Sequence, residues 1–239
     1  MKYNRAVKSA LVFSALVPLA AGVMAQQAPT RAITEIAPDL YWAQNNNHHS
    51  VFLVTDDGII LADPINADFS AWLKAELDDR FGVPVRYVLY SHHHWDHASG
   101  GAVFEDTAQF VGHENMLGDL ALMPASTPLP ANAAELDANG NGQIEPSEAS
   151  GNFERSFNLY DANGDGMISG AEATRGALND VRAPDVVFQD RMTITLGGKS
   201  AELIHTGTTD HTNDMSVVLF PGERAVFVVD YISIGRVPF

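Results

Sequence analysis

The feature that most constrains this chain is His92–His93–His94–Trp95–Asp96–His97, set directly after the apolar run Val85–Tyr90 and Ser91. It contains the pattern H-x-H-x-D-H, which a chain of this composition would carry by chance in roughly one case in a thousand. Zinc needs imidazole nitrogens and carboxylate oxygens that converge on one point, and a turn after a strand supplies several of them from six residues. Alternation along the strand end puts His92 and His94 on one side, and Asp96 and His97 follow from the turn. His93 then points away from its neighbours and is not read as a ligand.

The flanking pattern places this motif in a fold class. Leu40–Trp42 and Val51–Val54 read as strands separated by a polar loop, Asn45–Ser50, in which His48 and His49 lie exposed near the rim of a cleft. Asp56–Asp57–Gly58 is a hairpin turn, and Ile59–Ala62 is the returning strand. Phe69, Trp72, Leu73 and Leu77 recur at helical spacing, so the pattern predicts an amphipathic helix over 69–81. Val85–Tyr90 is a buried strand that ends in the motif. Strand, helix and strand in this order indicate an α/β architecture with the site at a strand's C-terminal end. A second β-rich stretch follows: Val186–Phe188, Met192–Leu196, Ala201–His205, Met215–Phe220 and Ala225–Val229. Between the two lies Leu117–Arg182, which opens with a Pro/Ala-rich linker and reads as an insertion.

With these motifs in place, the chain resembles the metallo-β-lactamase-fold hydrolases, over Ile36–Met116 and again from about Val186 to Phe239. The resemblance implies an αββα sandwich, in the α/β (α+β) class, with a two-metal site at one sheet edge. It implies that His92 and His94 share one metal with a later histidine, while Asp96 and His97 hold the second. The later histidine is His211, in the turn His211–Thr212–Asn213–Asp214, with His205 as its rival. Asp230, after the strand 225–229, stands where the family has a bridging or second-metal carboxylate. His113 resembles a recurrent position that does not ligate. Asp63, closing the strand Ile59–Ala62, resembles a buried aspartate that supports the site by hydrogen-bonding a ligand. A nitrogen-rich set of this kind favours two Zn2+ ions, which acidify a bound water to a pKa of about 7. Asp96 is the expected catalytic residue, orienting that water. His94 stands where the family's di-iron redox branch has an acid, which disfavours that branch.

The insertion carries its own motif twice. Asp137, Asn139, Asn141, Gln143 and Glu148 fit the twelve-residue EF-hand calcium loop, and Asp161, Asn163, Asp165, Met167 and Glu172 fit it again 24 residues later. Oxygens at the first, third and fifth positions surround the ion, glycine at the sixth permits the turn, and the last glutamate closes the shell. Gln143 and Met167 supply only backbone carbonyls. Ile144 and Ile168 should pair the two loops, and Phe153, Phe157 and Tyr160 give the segment between them one apolar helical face. The second loop should bind Ca2+ more tightly, because Asp165 adds a carboxylate that Asn141 lacks.

Met1–Ala25 reads as an export signal: Lys2, Arg5 and Lys8, then an apolar run, then the small residues Val23 and Ala25 before the cut. Its removal discards three positive charges and takes the formal net charge from −16 to about −19. The acid excess argues against nucleic acid or an anionic membrane as the partner. Cysteine is absent, which excludes disulfides, thiolate metal sites and a cysteine nucleophile. The expected division is therefore signal 1–25, first hydrolase part 26–116, EF-hand pair 117–182 and second hydrolase part 183–239. The expected activity is that of a periplasmic or secreted zinc hydrolase acting on a small-molecule ester, lactone or lactam, not stably inserted in a membrane after cleavage. The stretches outside the insertion are short for this fold, and no counterpart follows Asp230 for the family's last histidine ligand. That suggests a truncated chain, and it motivates an alternative reading as a calcium-binding structural module on a catalytically incomplete scaffold.

Overall fold

β-Branched and aromatic residues between turn residues build most of the framework. The computed structural model describes residues 28–209 and 211–230; the expected export segment Met1–Ala25 lies outside the described residues. Strands β1 (Arg31–Ala37), β2 (Leu40–Asn45), β3 (His48–Thr55) and β4 (Gly58–Ala62) pair antiparallel in sequence order. Helix α1 (Ala67–Phe81) then leads to β5 (Val85–Leu89), parallel to β4. Helix α2 (Trp95–Ala98) follows the histidine motif, and β6 (Gln109–His113) and α3 (Asn115–Leu120) come next. The inserted stretch forms short helices α4 (Ala131–Ala134), α5 (Asn152–Arg155), α6 (Phe157–Tyr160) and α7 (Gly170–Arg175), with strands β7 (Gln143–Ile144) and β8 (Ile168–Ser169). The chain returns through β9 (Val186–Phe188), β10 (Arg191–Leu196), β11 (Lys199–His205), β12 (Ser216–Phe220) and β13 (Ala225–Phe227).

Two sheets face each other. The larger has seven strands in the order β1-β2-β3-β4-β5-β6-β9, and the smaller has four, β10-β11-β12-β13. Alternation along the central strands explains their unbroken apolar runs, because both faces are buried. Phe52, Ile59, Leu61, Val88, Tyr90 and Phe110 pack with Phe69, Leu73 and Leu77 of α1. Their neighbours Leu53, Ile60, Leu89 and Val111 pack instead with Ala201, Leu203, Val218 and Phe220 of the small sheet. Helix α1 starts where the Asn66 side chain accepts from Phe69 N at 3.0 Å, and it ends at Gly82 in the left-handed region (φ 66°).

Several local outcomes differ from the sequence expectation. The polar run Asn45–Ser50 is a tight hairpin rather than a loop: β2 ends at Asn45, Asn46 takes φ 56°, and β3 begins at His48. Asparagine tolerates that conformation better than other side chains, which permits the short connection. Strand β1 lies outside the expected strands: RAITEIA interrupts its apolar residues with Arg31, Thr34 and Glu35, and it is an edge strand with only β2 beside it. The apolar face of Phe153, Phe157 and Tyr160 belongs to two short helices, broken at Ser156 (φ −123°, ψ 25°). Ile144 does pair with Ile168, and both bury beside Ala133 and Phe153 in a small core of their own.

Candidate metal centre

The site sits where the parallel strands end. Asp63 closes β4, Ser91 and His92 follow β5, and backbone bonds from Asp63 N to Leu89 O (3.0 Å) and from Ser216 N to Ser91 O (2.8 Å) tie these ends together. The second bond joins the two sheets beside the motif. His94 (φ −57°, ψ 139°) starts α2, and His97 N and Ala98 N both donate to its carbonyl at 3.0 Å. That turn swings Asp96 and His97 back toward His92. Helix α2 then presses on the β4–α1 connection through Gly100, where a Cβ would fall 2.3 Å from both Pro64 O and Ser70 Oγ.

Asp63 is fully buried and organises the ligands from behind. It accepts from Ser91 N (2.8 Å), Ser91 Oγ (2.7 Å) and His97 Nδ1 (3.1 Å). Because Ser91 Oγ gives its proton to Asp63, it accepts from His92 Nδ1 at 2.9 Å. Both imidazoles are thereby held with Nε2 facing the cleft. His211 Nε2 lies 3.3 Å from His92 Nε2, and the His94 ring stands 4.6 Å from the His92 and His211 rings. Asp230 completes the arrangement from the end of the segment after β13, with φ 62°. Its Oδ2 is 3.4 Å from His92 Nε2, 3.1 Å from His97 Nε2 and 3.1 Å from His211 Nε2.

Three donor groups result among the described residues. His92, His94, His211 and Asp230 have atoms all within 4.8 Å of one another, and so do His48, Asp96 and His97; the third group, His93, Asp119 and Asp214, meets the same limit. Asp230 also touches His97, so it stands between the first two groups. His48 was read as an exposed loop residue; the hairpin places its Nε2 3.2 Å from Asp96 Oδ2. An Asn-Asn pair between two strand-like runs was the signal for that turn. His205, the rival of His211, is turned elsewhere: its Nδ1 donates to Met215 O (3.1 Å) and its ring stacks on His113 at 3.7 Å. His93 faces away, toward Asp214 Oδ1 (3.1 Å) and Asp119 Oδ2 (3.4 Å). Neither contact was visible in the sequence, because Asp214 is 121 residues distant.

The donor chemistry suits a divalent cation. Burial, with the His92, His93 and His211 rings nearby, pulls the His94 pKa down to about 4, so its lone pair is free at neutral pH. Burial also opposes charge on His97, but the Asp230 and Asp63 carboxylates prevail and raise its pKa to about 10. His97 Nε2 is nonetheless buried without a directed hydrogen bond, since its N–H misses Asp230. Contacts to His92 and His97 hold Asp230 far below the usual carboxylate range. Burial works against ionisation of Asp96, but His48 and His97 keep its pKa below the ordinary value. A positive charge is thus demanded at the centre, and a proton on His97 and a metal ion compete for one nitrogen.

The inserted loops are internally bonded. Asp137 accepts from the backbone of Gly140 (2.8 Å), Asn141 (3.1 Å) and Gly142 (2.8 Å), and Asp161 accepts from Gly164 (2.8 Å) and Gly166 (3.0 Å). Glu148 reaches back to Ala138 N (3.0 Å), and Glu172 reaches back to Ala162 N (2.8 Å). Among the described residues, these carboxylates do not form a three-membered donor group of the kind that the histidines form.

A family model described as the metallo-beta-lactamase superfamily matches residues 45–239, a range that includes the insertion. Among solved structures, the native FEZ-1 metallo-beta-lactamase from Legionella gormanii is 18% identical, with a TM-score of 0.54, 88% of this chain covered and 69% of that one. A metallo-beta-lactamase from Pontibacter korlensis is 19% identical (TM-score 0.50; 81% and 68% covered). The class B3 di-zinc metallo-beta-lactamase LRA-12 from an Alaskan soil metagenome is also 19% identical (TM-score 0.50; 80% and 57% covered). At these identities the likeness is one of fold. No curated protein sequence matches the chain. Fold and family model agree, and the chain belongs to the metallo-beta-lactamase superfamily.

Proposed function

We propose that the chain is an exported zinc-dependent hydrolase of small molecules that bear an ester, lactone or lactam bond. The observation that carries this reading is the placement of Asp230 Oδ2 within 3.1–3.4 Å of Nε2 of His92, His97 and His211. One carboxylate oxygen among three imidazole nitrogens is the arrangement expected of a ligand set drawn around cations. His92, His94, His211 and Asp230 would hold one zinc ion; Asp96 and His97, with His48 beside them, would hold the other. The di-zinc centre of LRA-12, a protein of the same fold, supports the choice of zinc.

When bound, zinc supplies the Lewis acidity that lowers the pKa of water and polarises a scissile carbonyl. The chain's own residues do the rest. Asp63 and Ser91 fix the orientation of the His97 and His92 rings. Asp96 remains ionised at neutral pH and is about one-third exposed, so it can accept a proton from the attacking water and orient it. His48 steadies that carboxylate. In the insertion, Asp137, Asn139, Asn141, Gln143 and Glu148, and likewise Asp161, Asn163, Asp165, Met167 and Glu172, supply the donors for two Ca2+ ions, with Asn side chains and the carbonyls of Gln143 and Met167 completing each shell. Export rests on the pattern of Met1–Ala25.

The test is hydrolysis of a chromogenic cephalosporin and a panel of p-nitrophenyl esters by metal-stripped, zinc-restored and H94A protein. Turnover should appear with zinc and vanish in H94A. Equal turnover in all three would refute the reading. Calcium is tested separately, by proteolytic protection of residues 117–182 with and without chelator.

A further inference from the structure

The inserted stretch does not stand apart from the metal centre. A cleft of about 260 Å3 opens beside the motif, walled on one side by His94, Trp95 and Asp96 and on the other by Tyr160, Arg175 and Leu178. One wall comes from the motif and the other from the insertion. Trp95 is 47% exposed, so its indole offers an open aromatic surface at the edge of the site. Arg175 is the only arginine or lysine that lines this cleft; His93, which also lines it, faces Asp119 and Asp214.

The setting of Arg175 is unusual for a structural arginine. Its Nη2 donates to the Asn179 side chain, which fixes the direction of the guanidinium. Its Nε is buried and has no hydrogen-bond partner among the described residues. The carboxylate that acts on it is Glu172, one turn earlier on α7, but the oxygens of Glu172 accept from Ala162 N, Asn163 N, Ser169 N and Ser169 Oγ. The arginine is therefore positioned without being neutralised. It stands at the end of a segment, Glu135–Glu172, that holds eight acids and Arg155 as its one base.

We infer that Arg175 and the adjoining wall of the insertion form a substrate subsite that takes an anionic group, a carboxylate or an equivalent oxyanion, joined to an apolar or aromatic body lying against Trp95 and Tyr160. This rests on the hydrolase reading above and deepens it: the substrate is an anion whose charge is held on the insertion side while its scissile bond lies over the metal centre. A guanidinium that lines the cleft, and whose side-chain hydrogen bond goes to the neutral amide of Asn179, keeps its charge for a carboxylate, whose planar geometry suits the fork. The second EF-hand-like loop ends at Glu172 and runs directly into Arg175 on α7, so the order of that loop sets the position of the subsite.

The experiment compares phenylacetate with its uncharged near-isostere phenylacetamide. Both are titrated calorimetrically into metal-free protein, so that no zinc ion can bind the anion. Wild type should prefer the acid, R175Q should lose that preference by at least tenfold, and R175K should keep part of it. In the zinc-restored enzyme, the ratio of kcat/KM for the p-nitrophenyl half-ester of succinic acid over its neutral methyl ester should fall in R175Q by at least tenfold. Equal preference in wild type and R175Q, with both folded by circular dichroism, would overturn the proposal. Loss of preference in R175K as severe as in R175Q would also overturn it, by assigning the effect to packing rather than charge. If neither ester turns over, the hydrolase reading fails, and the binding comparison still decides the subsite.

Discussion

Replacing Asp63 by Asn isolates what the buried carboxylate does for the centre. Asp63 has φ 51°, a conformation that asparagine also tolerates, so the exchange adds no backbone strain. Oδ1 of the new amide can still accept from Ser91 N, now at 2.8 Å. The amide nitrogen, however, replaces an oxygen that accepts from Ser91 Oγ and from His97 Nδ1. Ser91 can rotate its hydroxyl and accept from the amide, but its own proton then loses the carboxylate that holds it, and with it the hydroxyl orientation that faces His92 Nδ1. His97 can keep a bond only by accepting at Nδ1, which moves its proton to Nε2, the atom that faces the cleft. The same logic makes the corresponding Asp-to-Asn exchange in a serine protease triad fail through the wrong tautomer. Two charge-assisted bonds at about 1.5–3 kcal/mol each are lost and one weaker bond is gained. Metal-free D63N should therefore be less stable in urea by about 2–4 kcal/mol. Zinc affinity, measured by competition with a chromogenic chelator, should drop about 10–100-fold. A folded D63N that binds zinc within twofold of wild type would refute the claim that Asp63 sets the tautomers.

Three further outcomes are expected. In metal-free protein the raised His97 pKa, about 10, means that its pairing stabilises the fold fully below the unfolded value of about 6.5 and is lost as pH rises toward 10; urea midpoints from pH 6 to 10 should fall accordingly. Zinc affinity should climb over the same window, by about tenfold per pH unit where one proton is displaced. In G170A the added Cβ would meet Thr127 O at 2.1 Å and Pro128 C at 2.5 Å, both backbone atoms; proteolysis of residues 117–182 should accelerate, with a local cost of about 1–3 kcal/mol. E172Q should lower calcium stoichiometry by equilibrium dialysis from two to one, because Glu172 closes the second loop.

The motif and the central strands were legible because their patterns are local. Strands buried on both faces read as unbroken apolar runs, and α1 reads at helical spacing from Phe69; its start at Ala67, capped by Asn66, comes from the structure. His211 and Asp230 were legible only by their order along the chain, through resemblance; nothing in their own neighbourhoods says that Oδ2 of Asp230 meets three imidazoles. His48 was missed because Asn46 and Asn47 looked like loop composition rather than a two-residue turn. The facing of His93 toward Asp119 and Asp214, and of Arg175 toward the cleft, depends on contacts between distant segments. Patterns of period two or 3.6 carry no record of such contacts. The break at Ser156 shows the converse, where an apolar helical face exists in sequence but is shared by two helices.

The central claim is that His92, His94, Asp96, His97, His211 and Asp230 are one ligand constellation for two zinc ions. The most direct measurement is zinc content per chain, by plasma emission after dialysis against buffered zinc, for wild type and D230A. The account predicts two zinc ions for wild type and a loss of at least one in D230A, because Asp230 stands between the donor groups of the two zinc ions. A wild type that retains less than one zinc ion, or a D230A that retains both, would contradict it.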